Sequence, residues 1–594
     1  MNDDHPRTLA RHDAPLPSPA GGSVWGSDAI AAMLRALDIP YLALNPGASY
    51  RGLHDSLVNH LGNRRPQMLL CLHEENAVSI AQGYAKASGR MMGAVLHSNV
   101  GLMHASMSIF NAWCDRVPML LLGATGPWDA ASRRPWIDWI HTASDQGALV
   151  RDYTKWDNQP ASVPAACEAL LRASQIARTL PCGPTYVNLD AAVQESPLPA
   201  MPALPDPSRF APATPPVPSA DTLEIVRGLL EGARAPVILA GRCSRSERGW
   251  AARVALAEAL QAQVLTDLKM AASFPTGHPL HAAPPGNFLH PDGAAALREA
   301  DVVLALDWTD LAGTLSQAWG DAPVAARIVN ISPDAALHRG WSHDYQALAP
   351  ADVYLMCDPD VVVPMLVDAL AQKAATPAPR VAAPEAAASE TVSIRALAHA
   401  LNDATRELEI CLTRLPLGWN GAYRHFRHPM DYLGHEGGGG VGAGLGITLG
   451  AALALKGSAR LPVAIMGDGD FLMGNTALWT ATHYDIPCLV FVANNRSFFN
   501  DEMHQERIAR ERGRPVENKW IGQRIDEPAI DIAAMARSQG ALGIGPVTTV
   551  AALREAVVAG LEAVQAGRVC VVDVRVEPGY DSNMSGARAP SRKA

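Results

Sequence analysis

The stretch from Leu461 to Phe499, LPVAIMGDGDFLMGNTALWTATHYDIPCLVFVANNRSFF, decides how this chain is read. Its first apolar run, Leu461 to Met466, predicts a strand that enters a tight turn at Gly467-Asp468-Gly469-Asp470. A helix-compatible stretch follows, and a second apolar run, Pro487 to Ala493, ends on Asn494-Asn495. A β-α-β unit of this kind brings the carboxyl ends of two parallel strands to one edge of a sheet. Open α/β sheets bind ligands at that edge, where Asp468 and Asn495 would meet. A carboxylate, an amide oxygen and a backbone carbonyl suit Mg2+, which keeps phosphates and water in its remaining positions. Glycine lets the backbone approach a phosphate closely. Taken alone, Gly-Asp-Gly is also compatible with a plain turn between strand and helix. The paired asparagines one strand later tip the reading toward a ligand site.

Two further segments point the same way. In LHEENAVSIAQGYAKASGR, residues 72 to 90, a strand ends at Cys71-Leu72 and a helix begins near Glu74. That helix stacks Ala77, Ile80, Ala81 and Tyr84 on one face and puts Glu74 in its first turn, at the carboxyl edge of a sheet. An acidic residue near a helix N-terminus is also favourable without any function. Glu75, its neighbour, is expected to be solvated. The second segment, His435 to Gly444 (HEGGGGVGAG), precedes the helical LGITLGAALALKG. So many glycines weaken ordinary helix or strand and fit either a close backbone approach to a ligand or a flexible loop.

Together these segments resemble the thiamine-diphosphate enzymes. The H-E-x-x-A…G-Y-A-R-x-[ST]-G signature of that family matches at His73, Glu74, Ala77, Gly83, Tyr84, Ala85 and Gly89, with Lys86 in place of arginine. The resemblance implies that Asp468, the Asn495 side chain and the Ser497 carbonyl hold Mg2+. Gly467, Gly469 and Asp470 would lie against the diphosphate. The Gly439 carbonyl would accept a hydrogen bond from the aminopyrimidine, and Val441, shorter than the usual leucine or methionine, would prop the bent cofactor. Glu74 would bond the pyrimidine nitrogen N1′, so that the cofactor's own amino group serves as base at the thiazolium C2.

The resemblance also implies an α/β fold of three doubly wound parallel-sheet domains. Two proline- and alanine-rich segments, Pro197 to Pro218 and Gln372 to Ala388, divide the chain. The expected layout is a flexible tail over 1–23, a pyrimidine-binding domain over 24–196, a middle domain over 219–371 and a diphosphate-binding domain over 389–594. Short strands alternate with helical stretches in each block, as at Ala94 to Leu96, Met119 to Leu122, Pro236 to Ala240 and Asp301 to Leu306.

Composition sets the frame. With 594 residues, 48% hydrophobic and 18% charged, the chain fits a soluble enzyme of several domains. A net charge of −10 without a basic run argues against nucleic acid as partner. Nine cysteines without a C-x-x-C pair indicate neither zinc nor a disulfide framework, and reduced thiols suit the cytoplasm. No stretch reaches the roughly 20 apolar residues of a membrane span.

Within the family the likeness is closest to benzoylformate decarboxylase and next to acetolactate synthase. Asn45-Pro46-Gly47, Leu96-His97-Ser98, Asn111-Ala112-Trp113 and Ala477 to Ala481 match the former. His97 then falls on a proton-relaying histidine. Ala48 stands where a substrate-binding serine is usual, His104 replaces a small or amide residue, and Ala305 to Asp310 lacks the family's middle-domain histidine. The charged segment Phe498 to Ile525, with His504, Arg507 and Trp520, reads as either a lid or a solvated helix. No arginine motif for FAD stands between Gly241 and Trp308, so FAD is not expected. The implied activity is C–C bond cleavage, foremost a 2-oxo-acid decarboxylase with carboligase activity. The alternatives are an acetolactate-synthase-type transferase, or a lyase or hydrolase of an acyloin, diketone or 2-hydroxyacyl-CoA. A non-catalytic binding protein ranks last. The family builds its site between subunits, which implies at least a homodimer and by extension a homotetramer.

Overall fold

The computed structural model describes residues 13–18, 22–334, 348–370 and 391–579. The Gln372 to Ala388 segment lies outside the described residues, as does most of the expected tail. Three parallel sheets carry the fold. The first has six strands in the order Gln67–Leu70, Tyr41–Leu44, Met92–Leu96, Met119–Thr125, Pro184–Asp190 and Trp156–Asn158. The middle sheet runs Gln263–Leu265, Pro236–Ala240, Val302–Leu306, Arg327–Ile331 and Val353–Leu355. The third runs Ile410–Arg414, Leu461–Gly467, Leu489–Asn494, Cys570–Arg575 and Leu542–Val547.

Helices cover both faces of such sheets, so their central strands are apolar throughout rather than alternating. Met119–Thr125 and Leu489–Asn494 are accordingly buried at every position. The Pro197 to Pro218 segment forms no more than a two-residue edge strand, Pro197–Leu198, and a 3-10 turn, Pro207–Arg209. Asp13, within the expected flexible tail, is anchored. Its carboxylate accepts from the Tyr484 hydroxyl at 2.6 Å and lies 3.2 Å from His483 Nε2. Among the described residues no helix is long and apolar enough to cross a membrane.

The first and third sheets share one hydrophobic core, which includes Ala77, Ile80 and Ala81 from one side and Leu445, Leu449 and Met466 from the other. The helix Glu74–Ser88 meets the helix Gly444–Leu455 there through glycine. A Cβ at Gly83 would stand 1.9 Å from the Ile447 carbonyl oxygen, and one at Gly450 the same 1.9 Å from that of Ile80. At Gly446 it would reach Ser79 Cβ at 2.6 Å. Backbone packs on backbone, so the two helices hold a fixed separation.

Gly450→Ala is therefore expected to destabilise the chain by about 1–3 kcal/mol, the usual cost of forced overpacking. A thermal scan should show a lowered midpoint. Gly228→Ala, in open helical surface, should leave it unchanged or raise it. A Gly450→Ala protein as stable as the parent would refute the tight contact.

In the middle sheet His281 is buried against Phe274, with Nε2 2.9 Å from Thr266 Oγ1. Burial, with His425 and His278 nearby, pushes its imidazole from 6.5 down to about 3. The unfolded chain takes up this proton below pH 6.5 and the folded chain does not, so stability is lost as pH falls from there toward 3. The slope is about 1.4 kcal/mol per pH unit for one proton. His281→Asn should flatten the acid side of a melting-temperature-against-pH curve by that amount, and an unchanged slope would overturn the assignment.

Candidate active site

Strands Leu461–Gly467 and Leu489–Asn494 pair in register from Val463–Leu489 to Gly467–Ala493, so their carboxyl ends stand abreast. The expected turn after the first is absent. Gly467 is extended (φ −71°, ψ 160°), and Asp468-Gly469-Asp470 already form the first turn of the helix Asp468–Gly474. Two acidic residues in that turn favour starting the helix there.

Asp468 and Asn495 come together at one amide. The Ser497 N–H donates to Asp468 Oδ2 at 3.1 Å and to Asn495 Oδ1 at 3.0 Å. The two asparagines differ in use. Asn494 donates to Asp573 inside the sheet at 2.7 Å, while Asn495 turns to the edge. Burial pushes the Asp468 carboxyl up to about 6, although the amides of Gly469, Arg496 and Ser497 pull it down. An acid so buried, beside an amide oxygen and with no basic side chain bonded to it among the described residues, has the donor chemistry for a hard divalent cation. Gly467 has open space where a Cβ would stand, and the Phe498 ring lies over Gly469.

Asp470 departs from expectation. Its carboxylate turns to the glycine run, accepting from the amides of Gly442 at 2.8 Å and Gly444 at 3.3 Å. Arg414 Nε donates to it at 2.9 Å and pairs also with Glu436. A buried carboxylate needs such donors, and here they lie within the protein. The glycine run bends through positive φ at Gly437, Gly439 and Gly442 (91°, 76° and 107°), conformations that suit glycine. Gly438 and Gly440 press on Phe110, Met107 and Asn111, whereas Gly439 faces open space and Val441 is partly exposed. Lys86, the substitute for the family's arginine, binds Asp115 at 2.6 Å and donates to the His435 carbonyl. Gln82 donates to the Glu436 carbonyl at 2.9 Å, so the Glu74 helix itself holds the start of the run.

Glu74 is buried at the head of its helix, packed against Gly101. His104 Nδ1 stands 3.2 Å from its Oε2. Glu75 is half-buried rather than solvated, and burial with Asp470 nearby raises its carboxyl; the segment after Asp470 packs beside this turn, where Asn76 donates to Thr476 Oγ1 at 2.8 Å. His97 lies at the end of Met92–Leu96. Its Nδ1 is 2.8 Å from Ser49 Oγ, and the His141 ring meets it edge-on at 4.7 Å. Burial, with His141 and Arg134, holds the His97 imidazole below its ordinary range against the pull of Glu74.

Ser49 and His141 escaped the sequence reading. Ser49 adjoins the Asn-Pro-Gly loop, so the loop was its one signal; His141 sits in a tryptophan-rich stretch with no motif of its own. In the middle sheet Asp307 binds Arg116 at 2.7 Å and accepts from Ser332 at 2.7 Å. Segment 498–525 forms the helix Phe499–Glu511 and a 3-10 turn, Val516–Trp520. Its base is closed by the Phe498 amide on the Gln523 carbonyl, and His504, Arg507 and Trp520 are exposed.

Three family models match the chain: the N-terminal TPP binding domain of thiamine pyrophosphate enzymes over 24–149, their central domain over 223–357 and their C-terminal TPP binding domain over 417–574. A Pseudomonas aeruginosa protein described as a probable 2-ketoarginine decarboxylase is 26% identical over 75% of this chain and 77% of its own length. A probable acetolactate synthase large subunit of Methanocaldococcus jannaschii is 26% identical over 80% of each. The structure of a thiamine diphosphate-dependent 4-hydroxybenzoylformate decarboxylase from Rhodococcus jostii superposes with a TM-score of 0.77 at 21% identity, covering 94% of this chain and 100% of that one.

Asp468→Ala is expected to abolish Mg2+-dependent binding of thiamine diphosphate in calorimetry, since the carboxylate is the charged member of the donor set. Affinity equal to the parent's would reduce Gly467 to Asp470 to a structural strand–helix junction.

Proposed function

Since the chain belongs to the thiamine pyrophosphate enzyme family, we propose that it is a thiamine-diphosphate- and Mg2+-dependent lyase. It decarboxylates a small 2-oxo acid and joins part of the product to an aldehyde acceptor. Asp468, Asn495 and the Ser497 carbonyl hold the metal. Gly467, Gly469 and the backbone of Asp470 face the diphosphate, while the Gly439 carbonyl, Val441 and Glu74 orient the aminopyrimidine. Bound there, the cofactor supplies the carbon nucleophile and the electron sink for C–C cleavage.

The observation that carries the decarboxylase reading is the His97 arrangement. Its neutral imidazole is fixed by the Ser49 hydroxyl and flanked by His141, on the same sheet edge as Glu74. Such a group can take up and return the proton that an aldehyde product requires. The segment Ala305 to Asp310 offers no histidine, so on this reading His97 is the proton relay and an acceptor carbonyl competes with protonation. The similarity to an acetolactate synthase supports a two-substrate transferase as the second reading. Leu72, Met103, Trp136 and Trp139 are exposed near the site, an apolar surface that a second copy of the chain would cover in at least a dimer.

A panel of aliphatic and aromatic 2-oxo acids, assayed for CO2 with and without added aldehyde, tests the reading. CO2 release with part of the product diverted to an acyloin is expected, and His97→Ala should slow aldehyde release more than ligation. The absence of both products from every acid would overturn it in favour of acyloin, diketone or acyl-CoA cleavage. Clean acetolactate from pyruvate alone would establish the transferase instead.

A further inference from the structure

We propose that His104 is a positioning residue for Glu74, holding one carboxyl oxygen so that the other is presented to the cofactor; the inference rests on the role given to Glu74 above. Several observations converge on it. The Glu74 carboxyl is buried, and among the described residues its side-chain hydrogen-bond partner is His104, with Nδ1 3.2 Å from Oε2. The opposite oxygen, Oε1, lies over Gly101, where the absence of a Cβ leaves it space, since a Cβ there would come within 3.1 Å.

His104, on the helix Ser98–Cys114, is in turn oriented by His73, whose ring stacks on it at 5.2 Å with 12° between planes. His73 is itself pinned, because its Nδ1 accepts from the Glu75 amide at 3.2 Å as the cap of the Glu74 helix. The donor atoms of His73, Glu74 and His104 all lie within 4.8 Å of one another. Three consecutive residues and one from the next helix thus form a closed set: the Glu75 amide fixes His73, His73 fixes the plane of His104, and His104 fixes Glu74.

An imidazole N–H can donate to Oε2 whether the carboxyl is ionised or carries its proton on the opposite oxygen. Glu74 therefore keeps its orientation while its proton is exchanged with the ring it faces. A carboxyl bonded through only one oxygen would otherwise rotate about its last torsion, which is broad and weakly restrained. Catalytic groups work best when such freedom is removed beforehand.

The test compares parent, His104→Leu, His104→Gln, Glu74→Gln and the Leu/Gln double variant. Two quantities are read: thiamine diphosphate affinity by calorimetry, and C2 hydrogen–deuterium exchange of the bound cofactor by NMR. His104→Leu should slow exchange about tenfold, the worth of one hydrogen bond, with affinity changed no more than a few-fold. His104→Gln, whose amide can still bond Oε2, should recover most of the rate. In the Glu74→Gln background the leucine should cost nothing further, because the two residues act as a unit. Full-rate exchange in His104→Leu, an additive loss in the double variant, or complete loss of cofactor binding would each overturn the positioning role. Parent-like exchange in Glu74→Gln would instead remove the reading of Glu74 on which it rests. Should the leucine variant fail to fold, His104→Ala carries the same comparison; the side chain is half-exposed, so its removal leaves no buried cavity.

Discussion

The architecture depends on the glycine-lined contact between the helices Glu74–Ser88 and Gly444–Leu455. Backbone touches backbone at Gly83 and Gly450, with no side chain between to adjust the spacing. Protein interiors are close-packed, so a contact of this kind has one geometry and resists deformation. Each helix starts at the carboxyl edge of its own sheet, one with Glu74 and the other just after the glycine run. The contact therefore fixes how these two helix starts stand relative to one another within the chain. The shared apolar core around Ala77, Ile80, Leu445 and Leu449 supplies the driving force for bringing them together.

Buried charge gives this junction its specificity. Lys86 with Asp115, and Arg414 with Asp470 and Glu436, lie within it. Such pairs add little net stability once desolvation is counted, yet an unpaired member is costly, so the arrangement tolerates few alternatives. Their bonds reach the backbone as well: Lys86 and Gln82 bind the carbonyls of His435 and Glu436, and Asp470 binds the amides of Gly442 and Gly444. A loop whose glycines would favour disorder is held in one shape from both sides. The same economy appears around Glu74, where His73 caps the helix and also orients His104.

Local sequence signals located the parallel α/β layers, the helix that begins at Glu74, and the strand pair that brings Asp468 to Asn495. These follow from covalent order, because hydrophobic periodicity and strand-end position survive whatever the rest of the chain does. Chain order also predicted that Glu74 would sit at a carboxyl edge. The side-chain partners did not follow from it. Asp470 faces inward because Arg414, more than fifty residues before it, reaches it. Glu75 is half-buried because Asp470 and the segment around Thr476, some four hundred residues later, pack beside the first turn of its helix. Ser49 and His141 flank His97 because strands far apart in sequence end side by side. Orientation and protonation are set by neighbours in space, and only the packed tertiary structure brings those neighbours within reach of a hydrogen bond.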